Sequence, residues 1–225
     1  MPLFATMLML AASASAVDVR GAVRTPSGYG QPPAPAAEQL RRDRYWDEWN
    51  GFLDPRPRGF DIRRDITVVL TGPGDAAPEQ PGFSIANGGL WPTTIVARTG
   101  GNLEIANSDP LVHQLFAEGF SEFSPTATAP GLTRRVPIAT AGSWPLRDEV
   151  YDHVRGHLHV IDDLIARARI AADGSYHFTN VPPGTYTLKI FQGADVVHTR
   201  EGVVVADREL TMEPIQLTAP AAGGS

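Results

Sequence analysis

The chain has 225 residues, 42% of them hydrophobic, with 19 lysines and arginines against 25 aspartates and glutamates and no cysteine at all. That length and composition allow one sizeable globular domain or two small ones. The formal charge of −6, without a basic cluster beside exposed aromatics, argues against a nucleic-acid partner. The missing cysteines exclude disulfides, thiolate metal ligation and thiol catalysis.

In chain order, "MPLFATMLMLAASASA" is a short apolar run ending in the small-x-small pattern of a cleaved signal peptide, residues 1–16. It predicts a periplasmic or secreted protein, and it is too short to serve as a transmembrane span. Val17 to Val23 then alternates apolar and polar residues like a half-buried strand. "PSGYGQPPAPA" is a proline-rich loop, and "AEQLRRDRYWDEWNGF" predicts a short helical insert stopped near Gly51. "DITVVLTG" returns to strand.

From there the chain is a series of strand-like runs punctuated by turn signals, which points to an all-β sandwich or barrel architecture. "TTIVARTGGNLEIANSD" predicts a hairpin-like pair of strands turning at Gly100-Gly101, followed by an Asn-Ser-Asp turn. "DGSYHFTNVPPGTYTLKI" predicts turns at Asp173-Gly174 and at Pro182-Pro183-Gly184. Tyr176, Phe178, Tyr186, Leu188 and Ile190 fall at alternate positions to fill a core.

Three of the six histidines crowd one stretch, His153, His157 and His159. On a strand, His157 and His159 share a face opposite Leu158 and Val160. Such a pair can chelate zinc or copper, with His113 and His153 as further candidates, but histidine pairs on an exposed or interdomain strand face are commoner than metal sites. His177 and His198 take outward positions. Asp162-Asp163 reads as the cap of a connection, with a hard cation as the alternative. Tyr45, Trp46 and Trp49 either dock the helical insert or stack on a sugar ring. No serine sits in a nucleophile elbow, no acid pair is singled out, and "TGPGD" and "ANGGL" are turns rather than phosphate loops. The expectation is a protein that is not an enzyme.

The segment "DGSYHFTNVPPGTYTLKI", together with Val19-Arg20-Gly21-Ala22-Val23, resembles the carboxypeptidase regulatory-like module, a transthyretin-like β-sandwich grouped with carbohydrate-binding-like folds. Between those halves, "GGNLEIANSDPLVHQLFAEG" resembles the plastocyanin-like cupredoxins, a combination found in exported bacterial proteins of the methylamine-utilisation type. The resemblance implies first strands plus insert over 17–82, a cupredoxin-like Greek-key sandwich over 83–162, the rest of the regulatory-like module over 163–217, and a flexible tail over 218–225. It also implies four copper-ligand positions. His113 fits the first, while Asp148, Tyr151 and Val154 stand where cysteine, histidine and methionine are expected. A type-1 copper cofactor is therefore excluded, since its geometry and potential depend on the copper–thiolate bond. His113 is left to hydrogen-bond Asp148 or Tyr151 as a polar plug. The expected function is binding or scaffolding toward an unknown protein or carbohydrate partner. The alternatives are a metal-handling protein and a carbohydrate-binding module.

Overall fold

A computed structural model describes residues 16–30, 59–74 and 81–218. The expected signal peptide, helical insert, Tyr45-Trp46-Trp49 group and most of the C-terminal tail lie outside the described residues. Sixteen strands, one helical turn α1 (Ile62–Asp65) and one 3-10 turn (Ser121–Phe123) make the described part all-β.

Two lobes result, each a pair of four-stranded sheets around its own core. In the first, β1 (Val17–Arg24) lies between β12 (Ser175–Val181) and β15 (Leu210–Thr211), with β16 (Ile215–Gln216) also on β1. Its facing sheet runs β11 (Leu164–Ala168), β2 (Ile66–Thr71), β13 (Gly184–Gln192), β14 (Asp195–Val205). Val19, Val68, Leu70, Phe178, Leu188 and Ile190 meet between them, and Tyr176 and Tyr186 complete the core as their alternation predicts. Gly21 has a specific reason to be glycine: the Tyr176 ring lies where its side chain would be. At Asp173-Gly174 the chain turns with Gly174 at φ +83°, a left-handed position that only glycine takes without strain.

The second lobe is contiguous in sequence. One sheet is β4 (Gly89–Trp91), β3 (Gly82–Ala86), β6 (Gly101–Asn107), β8 (Thr133–Ile138), and the other is β5 (Thr94–Arg98), β10 (Arg155–Ile161), β9 (Gly142–Asp148), β7 (Leu115–Ala117). Leu103, Ile105, Leu115, Phe123, Leu146 and Leu158 fill its core. The β3–β4 turn is Asn87-Gly88, both at positive φ, the mirror-image turn that matches strand twist.

The hairpin expected at Gly100-Gly101 does not form. β5 pairs in parallel with β10, and β6 pairs with β3 and β8, so the turn carries the chain from one sheet to the other. A glycine turn bends the chain but does not choose its hydrogen-bond partner. β5 has buried residues on both faces: Ile95 and Ala97 enter the lobe's core, and Val96 packs with Val69, Leu164 and Phe191 at the lobe junction. A strand buried on both faces suits a sheet sandwiched between layers rather than a solvated hairpin.

The junction is chiefly polar around that small apolar cluster. The Thr94 hydroxyl donates to the Asp65 carbonyl at 2.7 Å and accepts from the Gly193 N–H at 2.8 Å. The Thr67 hydroxyl donates to the Thr94 carbonyl, and Arg167 to the Val96 carbonyl. These side chains satisfy backbone groups that would otherwise be buried without partners.

Candidate functional site

β6 ends at Asn107, whose side chain builds the loop that follows. Its amide donates to the Leu111 and Thr128 carbonyls, and its Oδ1 accepts from the Asp109 N–H, closing the Asn-Ser-Asp turn. His113 then pairs its backbone with Thr128 in both directions, so the ring is directed inward and is wholly buried. From the other sheet, β9 ends at Asp148, and the turn after it is held by the Val150 and Tyr151 N–H groups donating to Asp148 Oδ1.

The two turns meet through His113. Its Nδ1 lies 2.9 Å from Asp148 Oδ2, and its Nε2 lies 3.1 Å from Asp109 Oδ2. Asp109 also accepts from the Gly88 N–H of the β3–β4 turn, and Asp148 from the Gln114 N–H. Each nitrogen–oxygen bridge needs one proton, so the three groups share two protons and a net charge of about −1 wherever those protons sit. The Tyr151 ring lies against the imidazole, centroids 5.0 Å apart, and Val154 is buried in the same core. His113, Asp148 and Tyr151 thus meet, and Val154 lies in the core of the same lobe.

As a copper site this arrangement does not fit. Both imidazole nitrogens are occupied by carboxylates, the thiolate position is itself one of those carboxylates, and Val154 offers no donor atom. Burial alone would raise the Asp148 carboxyl, but the His113 bond and the Val150 and Tyr151 N–H groups hold it below the ordinary range. A lowered carboxyl stabilises the fold above the unfolded value, about 3.9, and that contribution disappears as pH falls through the folded value. Chemical unfolding at stepped pH is expected to show stability falling below about pH 4. Asp148→Asn should flatten that slope, and an unchanged slope would remove Asp148 as its cause.

The histidines do not form one cluster, which corrects the expectation of a four-histidine metal candidate. Among the described residues no three His, Asp or Glu side chains gather into a metal-binding group. His153 stands near Tyr151, ring centroids 6.1 Å apart, whereas His157 and His159 lie at the lobe junction with rings 4.7 Å apart. His159 is buried, 4% exposed, against Phe191 of the first lobe. Burial lowers the pKa of both rings, reinforced at His157 by the charge of His159 and opposed at both by Asp195. His177 is exposed and bonds Asp18, and His198 is partly buried on β14 beside Val197, which packs against the core. Asp162 accepts from the Thr99 hydroxyl, and the Asp163 carbonyl from Gly72, as caps of a connection.

Two partners escaped the sequence reading. Asp109 lies in the quoted turn, four residues before His113, and that spacing is the signal that would have found it. Ser143 becomes a neighbour of His159 only through the β9–β10 register.

No family model and no curated protein matches this chain. Among solved structures it is similar to a copper-containing nitrite reductase from Thermus scotoductus, at 16% identity and a TM-score of 0.34 over 43% of this chain and 25% of that one. It is also similar to amicyanin from Paracoccus versutus, at 15% identity and 0.34 over 44% of this chain and 99% of that one. A purple cupredoxin from Nitrosopumilus maritimus aligns at 14% identity and 0.33 over 36% and 100%. The chain therefore spans a quarter of the nitrite reductase's length, and scores this low assign no fold by themselves.

Proposed function

We propose that this chain is an exported, non-enzymatic binding or scaffolding protein whose second lobe is a cupredoxin-like sandwich that has exchanged copper ligation for the Asp109–His113–Asp148 triad. The observation that carries the reading is that Asp148 bonds His113, the Tyr151 ring packs on it and Val154 lies in the core of the same lobe, on the connections from β6 to β7 and from β9 to β10. With both imidazole nitrogens hydrogen-bonded, the site serves packing rather than electron transfer. Function then falls to the loops and sheet edges of the two lobes, the usual contact sites of such folds. The first lobe is read as a carboxypeptidase regulatory-like module, supported by Gly21 of the Val-x-Gly-x-Val strand lying under Tyr176.

The test is to put the ligands back. Asp148→Cys, Tyr151→His and Val154→Met combined, on a chain that keeps His113, should give a protein that takes up copper(II) with the intense visible absorption of a copper–thiolate bond, while the native chain shows none. A folded triple variant that binds copper(II) without that absorption would sink the reading. Asp148→Cys alone, which disturbs the packing least, should already show thiolate-to-copper absorption, and its absence from a folded single variant would count in the same direction.

A further inference from the structure

We propose that His157 and His159 form a binding site for a divalent transition-metal ion, copper(II) or zinc(II), at the junction of the two lobes. The site uses none of the positions around His113.

The geometry begins with the Gly193 carbonyl, which only accepts. His159 Nε2 lies 2.7 Å from it and must carry the ring proton, leaving a lone pair on Nδ1. Ser143 Oγ, 3.1 Å from that Nδ1, therefore donates its single hydrogen to it. Having spent that hydrogen, Ser143 Oγ accepts from His157 Nε2 at 2.8 Å. Two imidazole nitrogens, from positions 157 and 159 of one strand, thus converge on a single atom.

Such convergence is what chelation requires, since metal–imidazole bonds of about 2.0–2.1 Å bring two ligating nitrogens within roughly 3–3.5 Å of each other. His159 already has the outer contact that orients a ligating imidazole: its far N–H is tied to a backbone carbonyl and its ring rests on Phe191, which fix both tautomer and rotation. His157 is half-exposed, so its proton passes from Nε2 to Nδ1 through solvent and no net proton is released on binding. Ser143 is exposed and its hydroxyl turns aside to admit the ion. Among the described residues no third histidine or carboxylate joins the pair, so water completes the coordination. Because the Gly193 carbonyl that holds His159 comes from the first lobe and both histidines from the second, the site is oriented by a contact between the lobes.

Untagged full-length protein titrated with copper(II) alone, then with zinc(II) alone, should take up one ion per chain by calorimetry. The copper form should show two coupled nitrogens by electron paramagnetic resonance. His157→Ala removes a ligand outright and should weaken binding by more than the roughly tenfold that losing an outer-shell partner costs. It should leave the unfolding midpoint near that of the native chain, because His157 is not a core residue. His177→Ala, an exposed histidine paired with Asp18, should bind as the native chain does. Equal affinity in His157→Ala, coupling to fewer than two nitrogens, or loss of binding in His177→Ala would overturn the proposal. None of these outcomes bears on the site at His113.

Discussion

Replacing His113 with alanine should destabilise the protein by about 3–5 kcal/mol, the range for breaking a buried ionic pair by removing one partner. The ring is wholly buried, and both carboxylates it serves are nearly so. Without it Asp148 keeps three backbone N–H donors, and Asp109 keeps the Gly88 N–H. Two acidic groups would then face a cavity the size of an imidazole. For a protein of this length the cost corresponds to a fall in Tm of roughly 6–20 °C. Asp148→Ala should cost a similar amount, because it leaves the His113 Nδ1 side and three backbone donors without their acceptor. The double variant should lose clearly less than the sum, since the second change removes a group the first has already stranded. Urea unfolding of the two single variants and the double variant decides this. A loss under about 1 kcal/mol for His113→Ala would mean that the triad is not what holds the β6 and β9 turns together.

The second large effect belongs to the other lobe. Val19→Asp should prevent its folding, because Val19 is wholly buried at the centre of a sheet, paired with Phe178 on one side and Leu210 on the other. An unpaired carboxylate there must either stay charged in an apolar core or be protonated, and either costs several kcal/mol. The neighbours cannot help, since β12, β15 and β16 all hydrogen-bond to β1 and lose their common partner if it leaves. The second lobe has a separate core and meets the first through the small cluster of Val69, Val96, Leu164 and Phe191. Amide hydrogen exchange on the variant should therefore show protection lost in β12 and β13 and kept in β6 and β10. Loss throughout would show that the lobes fold as one unit.

Much of this arrangement was legible because alternation records burial. Tyr176, Phe178, Tyr186, Leu188 and Ile190 were placed in a core by spacing alone, and all five are there. The link from His113 to Asp148 was reachable only through the family resemblance, because 35 residues separate two turns that just the sandwich brings together. The Gly100-Gly101 turn misled, since turn chemistry describes the bend and not the sheet a strand joins. His157 and His159 were correctly set on one face, yet what that face meets, Ser143 across the sheet and Gly193 on the other lobe, depends on register and on lobe docking. Local sequence carries neither.

The central position of β1 also sets an order of events during synthesis. Strands β3 to β10 are consecutive and need nothing from either end of the chain, so the second lobe can close as soon as it emerges. β1 emerges first and finds no partner until β12 arrives; Asp18 reaches His177 across 159 residues. The entropy of closing a loop grows only with the logarithm of its length, so the folded state loses little by this delay. The nascent chain meanwhile carries an apolar strand with both edges open, the form most prone to pair wrongly. A compact lobe folded between the two ends shortens that exposure by drawing Gly72 and Asp163, at either margin of the first lobe's gap, close to their final places, where the Gly72 N–H donates to the Asp163 carbonyl.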